Sequence, residues 1–346
     1  MSPRIAYAIL NFVPEFKKQK KFQSTSISTL TIEQIKDRYR GAEIIYKKDM
    51  SIVVDCYDNK LKRYVIIKIL LTNNRYENVD TKVVQLVKTL NVCNIVTILD
   101  IFRVEGPIEI LFPSRSRIKY VKDLYKKEES IWKKEADQFE IDRNLSEFNR
   151  QDLLDRRKRL LEDRNKLNIY KTRFEYYSQF VANDFNKNFI VMERLDENIL
   201  VVYRNKINPD KLVYLLFQLI LIVYILDSSN IKHNDLTPRN ILTKKIQASY
   251  VYSYYKINEQ EYYIPLDKVD NRILKLTDFE EAKIVNEKCA NMLDMYNYVI
   301  KKLIEGIDLD EEIRSLLRRI ETCSYEHVYQ LIADEVFTSR LKRGDK

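Results

Sequence analysis

Residues 231–242 read Ile-Lys-His-Asn-Asp-Leu-Thr-Pro-Arg-Asn-Ile-Leu, and residues 274–280 read Leu-Lys-Leu-Thr-Asp-Phe-Glu. In both stretches short apolar, strand-like residues frame polar ones. Any fold of this chain must therefore carry two carboxylates and an amide on loops whose flanks are buried. The chemistry of Asp235, Asn240 and Asp278 narrows the choice further. Moving a phosphoryl group onto a hydroxyl requires a carboxylate that orients the hydroxyl. It also requires hard oxygens that hold magnesium on the nucleotide phosphates.

Composition excludes several other classes. At 346 residues and 41.6 kDa the chain can bury a large core, as two domains or as one two-lobed domain. Hydrophobic residues make up 45% and charged residues 32%, with no long Pro- or Ser-rich tract, so the chain reads as globular. The net charge of +9 suits a solvated surface as readily as an acidic partner, and nucleic-acid binding gains little support from it. Cys56, Cys93, Cys289 and Cys323 show no paired short spacing, and the only histidines are His233 and His327. Neither a disulfide framework nor a zinc site is expected, and a reducing, cytoplasmic compartment fits best. The longest apolar run, residues 212–226, contains Gln218 and is too short for a bilayer span, so a buried helix is expected there and no membrane association. Residues 1–23 place a short apolar patch before lysines, the reverse of the order in a secretory signal.

The spacing His233-x-Asp235-x-x-x-x-Asn240, followed by Asp278-Phe279 after a second apolar strand, resembles the catalytic core of the protein kinase superfamily. Other features follow in the same order. Strands are expected over 42–46, 51–57 and 63–71, the last bearing Lys68, then a helix over 80–90 and a strand leading from Asn94-Ile95-Val96 to Phe102. That succession resembles a kinase small lobe. A strand over 189–194 resembles the hinge entry, and residues 212–226 resemble the long central helix of the large lobe. The resemblance implies an α+β, bilobal, protein-kinase-like fold with a β-rich small lobe and an α-helical large lobe. Residues 1–40 would be an N-terminal extension, with Thr31 and Gln34 as a capping box for a short helix. Residues 41–195 would be the small lobe and 196–346 the large lobe.

Residues 114–187 have no counterpart in ordinary kinases. Leu153, Leu160, Leu167 and Phe174 repeat at seven residues, with Leu154 and Leu161 beside them, on a charged background. A helical hairpin inserted in the small lobe is expected. It holds 19 Lys and Arg against 14 Asp and Glu, so +5 of the chain's +9 lies here. It is either a solvated helix pair packed on its own lobe or an arm that docks a protein partner.

By the same resemblance, Asp235 is the catalytic base and Lys68 holds the α- and β-phosphates. Met192 is the gatekeeper, Glu193 to Leu195 line the adenine edge, and Asn240 and Asp278 are magnesium ligands. ATP and Mg2+ are the implied cofactors, and His233 holds the loop by packing and hydrogen bonding. The chain departs from the family at several points. Val83 occupies the position of the helix glutamate that pairs with the lysine, with Asp80 or Glu77 as possible substitutes. The turn over 46–51 has no glycine, leaving Lys47 or Lys48 to compensate. Thr237 replaces the lysine common in serine/threonine kinases, Arg239 sits where tyrosine kinases often carry arginine, and Asn234 replaces the arginine that reads activation-loop phosphate. Only residues 281–293 separate Asp-Phe-Glu from Asp294, where a core helix is expected to begin. Activity without activation-loop phosphorylation follows.

Abundant Lys, Asn, Ile, Tyr and Phe have AT-rich codons, as in large DNA viruses or parasitic protists. The tyrosine-rich stretch 244–272 is similar to one in haspin-like kinases and kinases of large DNA viruses. The leading expectation is a divergent viral kinase acting on Ser or Thr hydroxyls of protein substrates, in the host cytoplasm or virion. One alternative is a pseudokinase scaffold, favoured by Val83, the missing glycines and the missing activation segment. Another is a small-molecule phosphotransferase, since choline and ethanolamine kinases look similar at His-Asn-Asp and Asp-Phe-Glu.

Overall fold

The computed structural model describes residues 10–12, 27–48, 51–71, 80–90, 92–104, 115–143, 150–181, 187–204, 206–247, 252–257, 260–285, 291–323 and 327–341. They form a mixed α/β protein. In chain order come β1 (Leu10–Phe12), β2 (Ser28–Leu30), α1 (Ile32–Arg38), β3 (Tyr39–Lys48), β4 (Ser51–Asp58), β5 (Arg63–Leu71), α2 (Asp80–Leu90) and β6 (Ile98–Val104). Two long helices follow, α3 (Arg115–Arg143) and α4 (Arg150–Val181), then β7 (Lys187–Glu193), α5 (Ile199–Tyr203), α6 (Pro209–Ser228) and β8 (Ile231–Lys232). A 3-10 turn (Pro238–Asn240) leads into β9 (Ile241–Lys245), β10 (Tyr252–Ile257), β11 (Gln260–Pro265), β12 (Arg272–Leu276) and β13 (Lys283–Ile284). The chain closes with α7 (Asn291–Met295), a π-helical turn (Tyr296–Ile300), α8 (Lys301–Leu303), α9 (Glu311–Glu321), α10 (Val328–Ile332) and α11 (Glu335–Leu341). It divides into two compact units. The first comprises Met1–Ile27, Asn73–Ile101 and Ile190–Lys346, and the second Ser28–Thr72 and Phe102–Phe189.

The second unit is built on a six-stranded sheet of order β2-β6-β7-β5-β4-β3, the far ends of β6 and β7 counting with the first unit. Its meander follows from alternation: β4 buries Ile52, Val54 and Cys56, and β5 buries Val65, Ile67 and Ile69. Register pairs Val53 with Lys68. The sheet reaches into the stretch expected to be an extension, where β2 pairs with β6 in parallel and β3 starts at Tyr39, which stacks on Phe102 as Phe102 does on Phe189, at centroid distances of 6.1 and 5.2 Å. Just before it, the expected capping box is formed: Gln34 N donates to Thr31 Oγ1 at 3.3 Å and Thr31 N to Gln34 Oε1 at 2.9 Å. α3 and α4 pack on one another, with Leu167 buried, Leu153 and Leu160 half-buried, and Trp132 Nε1 donating to the Leu160 carbonyl at 3.0 Å. The Phe174 side chain lies outside the described residues.

The first unit is organised around α6. Asn208 caps it, its side-chain oxygen accepting from Lys211 N at 2.8 Å, and Pro209 supplies a helix-ready φ. The helix is longer than its uninterrupted apolar run. It is long and apolar enough to cross a membrane by length and composition, yet it is buried within its unit. Phe217 sits among Tyr255, Tyr262 and Phe337. Gln218, fully buried, accepts from Leu274 N at 2.8 Å and Asn94 Nδ2 at 3.2 Å, so the one amide of the run fastens β12 and the Asn94 segment to the helix. The tyrosine-rich segment is an antiparallel hairpin, β10 with β11, and β1 adds to it in parallel with Leu10 opposite Tyr254.

Where β7 ends, Glu193 is buried in an ion-pair cluster. Its carboxylate accepts from Lys275 Nζ, Lys244 Nζ and the Thr97 backbone amide. Burial pushes this carboxyl up, but Lys275 and the hydrogen bonds from Lys244 and Lys275 outweigh it and hold it at about 2, below its ordinary 4.5. A depressed carboxyl stabilises the fold above the unfolded value, and that contribution is lost as pH falls from about 4.5 towards 2. Glu193→Gln leaves the buried Lys275 without its anion and takes the same partner from the half-buried Lys244, and it is expected to cost about 3 kcal/mol or more at pH 7. Urea unfolding measures this, and the variant should also lose stability less steeply than wild type between pH 4.5 and 2.

Candidate functional site

The β9–β12 ladder builds the site. Its antiparallel register sets Ile241 opposite Leu276, so the residues preceding β9 and following β12 emerge at the same end. Thr277 then bonds Asn240 twice, its N donating to the Asn240 carbonyl at 2.9 Å and its Oγ1 at 3.2 Å. Asp278 follows directly, in the left-handed region at φ 61°, where a non-glycine residue is strained and held by its surroundings. The structure thus brings Asp235, Asn240 and Asp278 into one loop cluster at the ends of two paired strands.

Asn240 fixes Asp235. Its Nδ2 donates to the Asp235 carbonyl at 2.8 Å and to Oδ2 at 2.9 Å. Since that nitrogen is committed to donors' work, the amide oxygen is the atom left to meet a cation, and Asp278 adds a carboxylate one residue beyond Thr277. Two such hard-oxygen side chains, completed by phosphate and water, suit Mg2+ better than an all-protein cage would. Arg239 closes the other side of Asp235, with Nη2 at 3.1 Å from Oδ1 and 2.8 Å from Oδ2. The arginine side chain is 61% exposed and the aspartate 16%, so Arg239 is the partner that can move aside.

The loop is tied from behind. His233, fully buried, contacts the Thr277 carbonyl through Nε2 at 3.0 Å and accepts Asp235 N at Nδ1 at 3.3 Å, which fits the Nε2–H tautomer. Phe279 meets its ring edge-on at 5.0 Å. Asn234, also left-handed at φ 62°, donates Nδ2 to the Glu281 carbonyl at 2.7 Å. Asparagine tolerates that backbone, which gives position 234 a local role in place of phosphate reading.

Other expected residues stand as follows. Lys68 is on β5 in the second unit and only 7% exposed. Val83 is on α2, 1% exposed, a core residue. Glu77, Asp49 and Met50 lie outside the described residues, as do the side chains of Asp80, Lys47 and Lys48. Met192 is half-buried on β7, and Leu195 follows the strand. The Glu193 side chain is turned into the cluster with Lys275 and Lys244, and its backbone N donates to the Thr97 carbonyl at 3.0 Å.

Sequence reasoning missed Asn291. The helix begins there, three residues before Asp294, and its buried amide donates to the Ile231 carbonyl at 2.8 Å and to Asp227 Oδ1 at 2.7 Å while accepting His233 N at 3.2 Å. One amide in this position joins the end of α6, β8 and the loop that starts at His233. The signal available was weak, a single Asn just ahead of an apolar helix.

No protein-family model matches the chain. Over 63 residues it is 40% identical to "Stress-activated protein kinase JNK" of Suberites domuncula, a match covering 18% of each chain. Over 62 residues it is 37% identical to "Stress-activated protein kinase jnk-1" of Caenorhabditis elegans, covering 18% of this chain and 13% of that one. The chain therefore matches less than a fifth of the length of these curated relatives. Over that segment it is related to protein kinases, and its mixed α/β architecture with a multi-strand sheet is compatible with a kinase-like fold.

Burial raises the Asp227 carboxyl to about 7, against the lowering effect of the Asn291 hydrogen bond. A raised carboxyl favours the fold below its unfolded value near 3.8, and the advantage is lost as pH rises through about 7. Asp227→Asn is expected to remove that decline. Thermal melts from pH 4 to 8 check it: wild type should lose stability across the window and the variant should stay level.

Proposed function

We propose that the chain is an ATP- and magnesium-dependent protein kinase of divergent type, transferring the γ-phosphate to Ser or Thr hydroxyls of a protein substrate. Asp235 orients the hydroxyl and accepts its proton, and Asn240 and Asp278 hold the metal. Magnesium, when bound, neutralises charge on the transferring phosphate. The observation that supports this reading most is the double fastening of Asp235 by Asn240. It holds the carboxylate still while leaving the amide oxygen available.

In this reading the incoming hydroxyl replaces Arg239 on the Asp235 carboxylate. Asn240 keeps its hold, so the remaining oxygen stays positioned at hydrogen-bond reach of the proton it takes. Thr277 and His233 keep the two loops in register, which limits the reorganisation needed at each turnover. Lys68 is assigned to the α- and β-phosphates, and Met192, Glu193 and Leu195 to the adenine edge, on the resemblance alone. The lobe limits at residues 41 and 195, a viral source and action in the cytoplasm belong to the same proposal. The match to two stress-activated protein kinases favours a protein over a small-molecule acceptor.

One observation favours a second reading. Val83 is a buried core residue where kinases place the glutamate that holds the lysine, as a pseudokinase scaffold would tolerate. Incubation with radiolabelled ATP, Mg2+ and either casein or choline separates the readings. Label on casein is expected, with Asp235→Asn reducing the rate about a thousandfold while nucleotide still binds. Label on choline would assign a small-molecule kinase, and nucleotide binding without transfer a scaffold. Transfer undiminished in Asp235→Asn would remove the proposed base.

A further inference from the structure

The α3–α4 hairpin carries one more apolar row than two helices need. Along one row of α4, Leu167 is buried and Leu153 and Leu160 are half-buried, and beside that row Trp132 of α3 bonds the Leu160 carbonyl and Arg156 pairs with Asp142 of α3. A two-helix seam requires that single stripe. Yet α4 also presents Leu154 and Leu161, again seven residues apart, 50% and 52% exposed. At about 100° per residue these two point roughly a quarter-turn away from the seam. A stripe widened in this way is the pattern of a helix that faces two neighbours, as in a three-helix bundle.

The missing neighbour also has a recognisable charge. Arg157 falls between the two leucine rows and Lys158 just beyond the second, and both are exposed with no acidic partner among the described residues. α4 as a whole carries nine basic residues against five acidic ones. Between the end of α3 and the start of α4, Phe139, Leu153 and Leu154 floor a groove of about 440 Å³ rimmed by Glu140, Arg143 and Arg157; Arg143 is paired with Glu140 at 3.4 Å, which leaves Arg157 as the rim's uncompensated charge. A second copy of this chain would bring Arg157 and Lys158 against their own kind, a repulsion that works against self-pairing.

We propose that the Leu154–Leu161 face is the docking site for one acidic amphipathic helix of a partner protein, which completes a three-helix bundle with α3 and α4. Its leucine-type residues would seat on Leu154 and Leu161 and in the groove beside Phe139. Its carboxylates would flank that row and pair with Arg157 and Lys158. The inference does not depend on phosphotransfer and holds equally for a kinase or a scaffold.

The test uses the full-length chain and fluorescence anisotropy with two synthetic helical peptides that share leucines at heptad spacing. One carries Glu and the other Lys at the flanking positions. The Glu peptide is expected to bind at least about tenfold more tightly than the Lys peptide. Leu154→Gln with Leu161→Gln should weaken it at least about tenfold, with helical content and melting unchanged because both side chains are half in solvent. Arg157→Glu with Lys158→Glu should reverse the preference towards the Lys peptide. Equal affinity for the two peptides would overturn the proposal, and so would Glu-peptide binding that ignores the leucine pair, since that is charge attraction alone. Concentration-dependent dimerisation abolished by the leucine variant would overturn it in favour of a second copy.

Discussion

The arrangement of this site depends on one amide. Asn240 closes the start of β9 by bonding both the carbonyl and the carboxylate of Asp235, and its own carbonyl receives Thr277 from the end of β12. The ladder between the two strands supplies the register, and Asn240 converts that register into the placement of side chains. Aspartate at this position could not donate to Asp235, and an apolar residue would leave the carbonyl and carboxylate without their donor. A donor and an acceptor on one carbon at the end of a short stem are what the geometry demands.

Buried polar groups hold the rest of the first unit to that ladder. Gln218 carries the central helix to β12 and Asn94, Glu193 ties the end of β7 to β9 and β12 through two lysines, and Asn291 joins Asp227, Ile231 and His233. Each is a polar side chain in an apolar setting whose burial is offset by specific hydrogen bonds, through both carboxylate oxygens of Glu193 and both ends of the Asn291 amide, and through the oxygen of Gln218, whose Nε2 is left without a partner. Their directional bonds specify one arrangement of loops where apolar packing alone would permit several.

Much of this was legible in the sequence, for identifiable reasons. The strands around Lys68, the helix over 80–90 and the central helix are marked by local periodicity, and the Thr31 box by two residues at fixed spacing. The joining of Asp235 to Asn240 is a short-range event, five residues apart, and so was written in the spacing. What escaped is long-range. Leu10–Phe12 pairs with a hairpin more than two hundred residues later, and nothing local marks that strand as a partner. Tyr39 stacks on Phe102 as Phe102 does on Phe189, both distant in sequence. The side-chain direction of Glu193 was set by Lys244 and Lys275, neither of which a linear reading connects to it. Asn291 was missed for the same reason. The second leucine row of α4 was visible as a pattern, but only the packing of α3 on the first row distinguishes the used stripe from the spare one.

The central claim is that Asn240 and Asp278 present oxygens to a metal on a nucleotide. Equilibrium binding of ATP, titrated with and without Mg2+ in wild type and in Asp278→Asn, tests it most directly. The account predicts wild-type affinity that rises at least about tenfold with Mg2+, and a variant in which that dependence is largely gone while metal-free binding is unchanged. ATP affinity indifferent to magnesium in the wild type, or a magnesium effect that survives intact in Asp278→Asn, would contradict it.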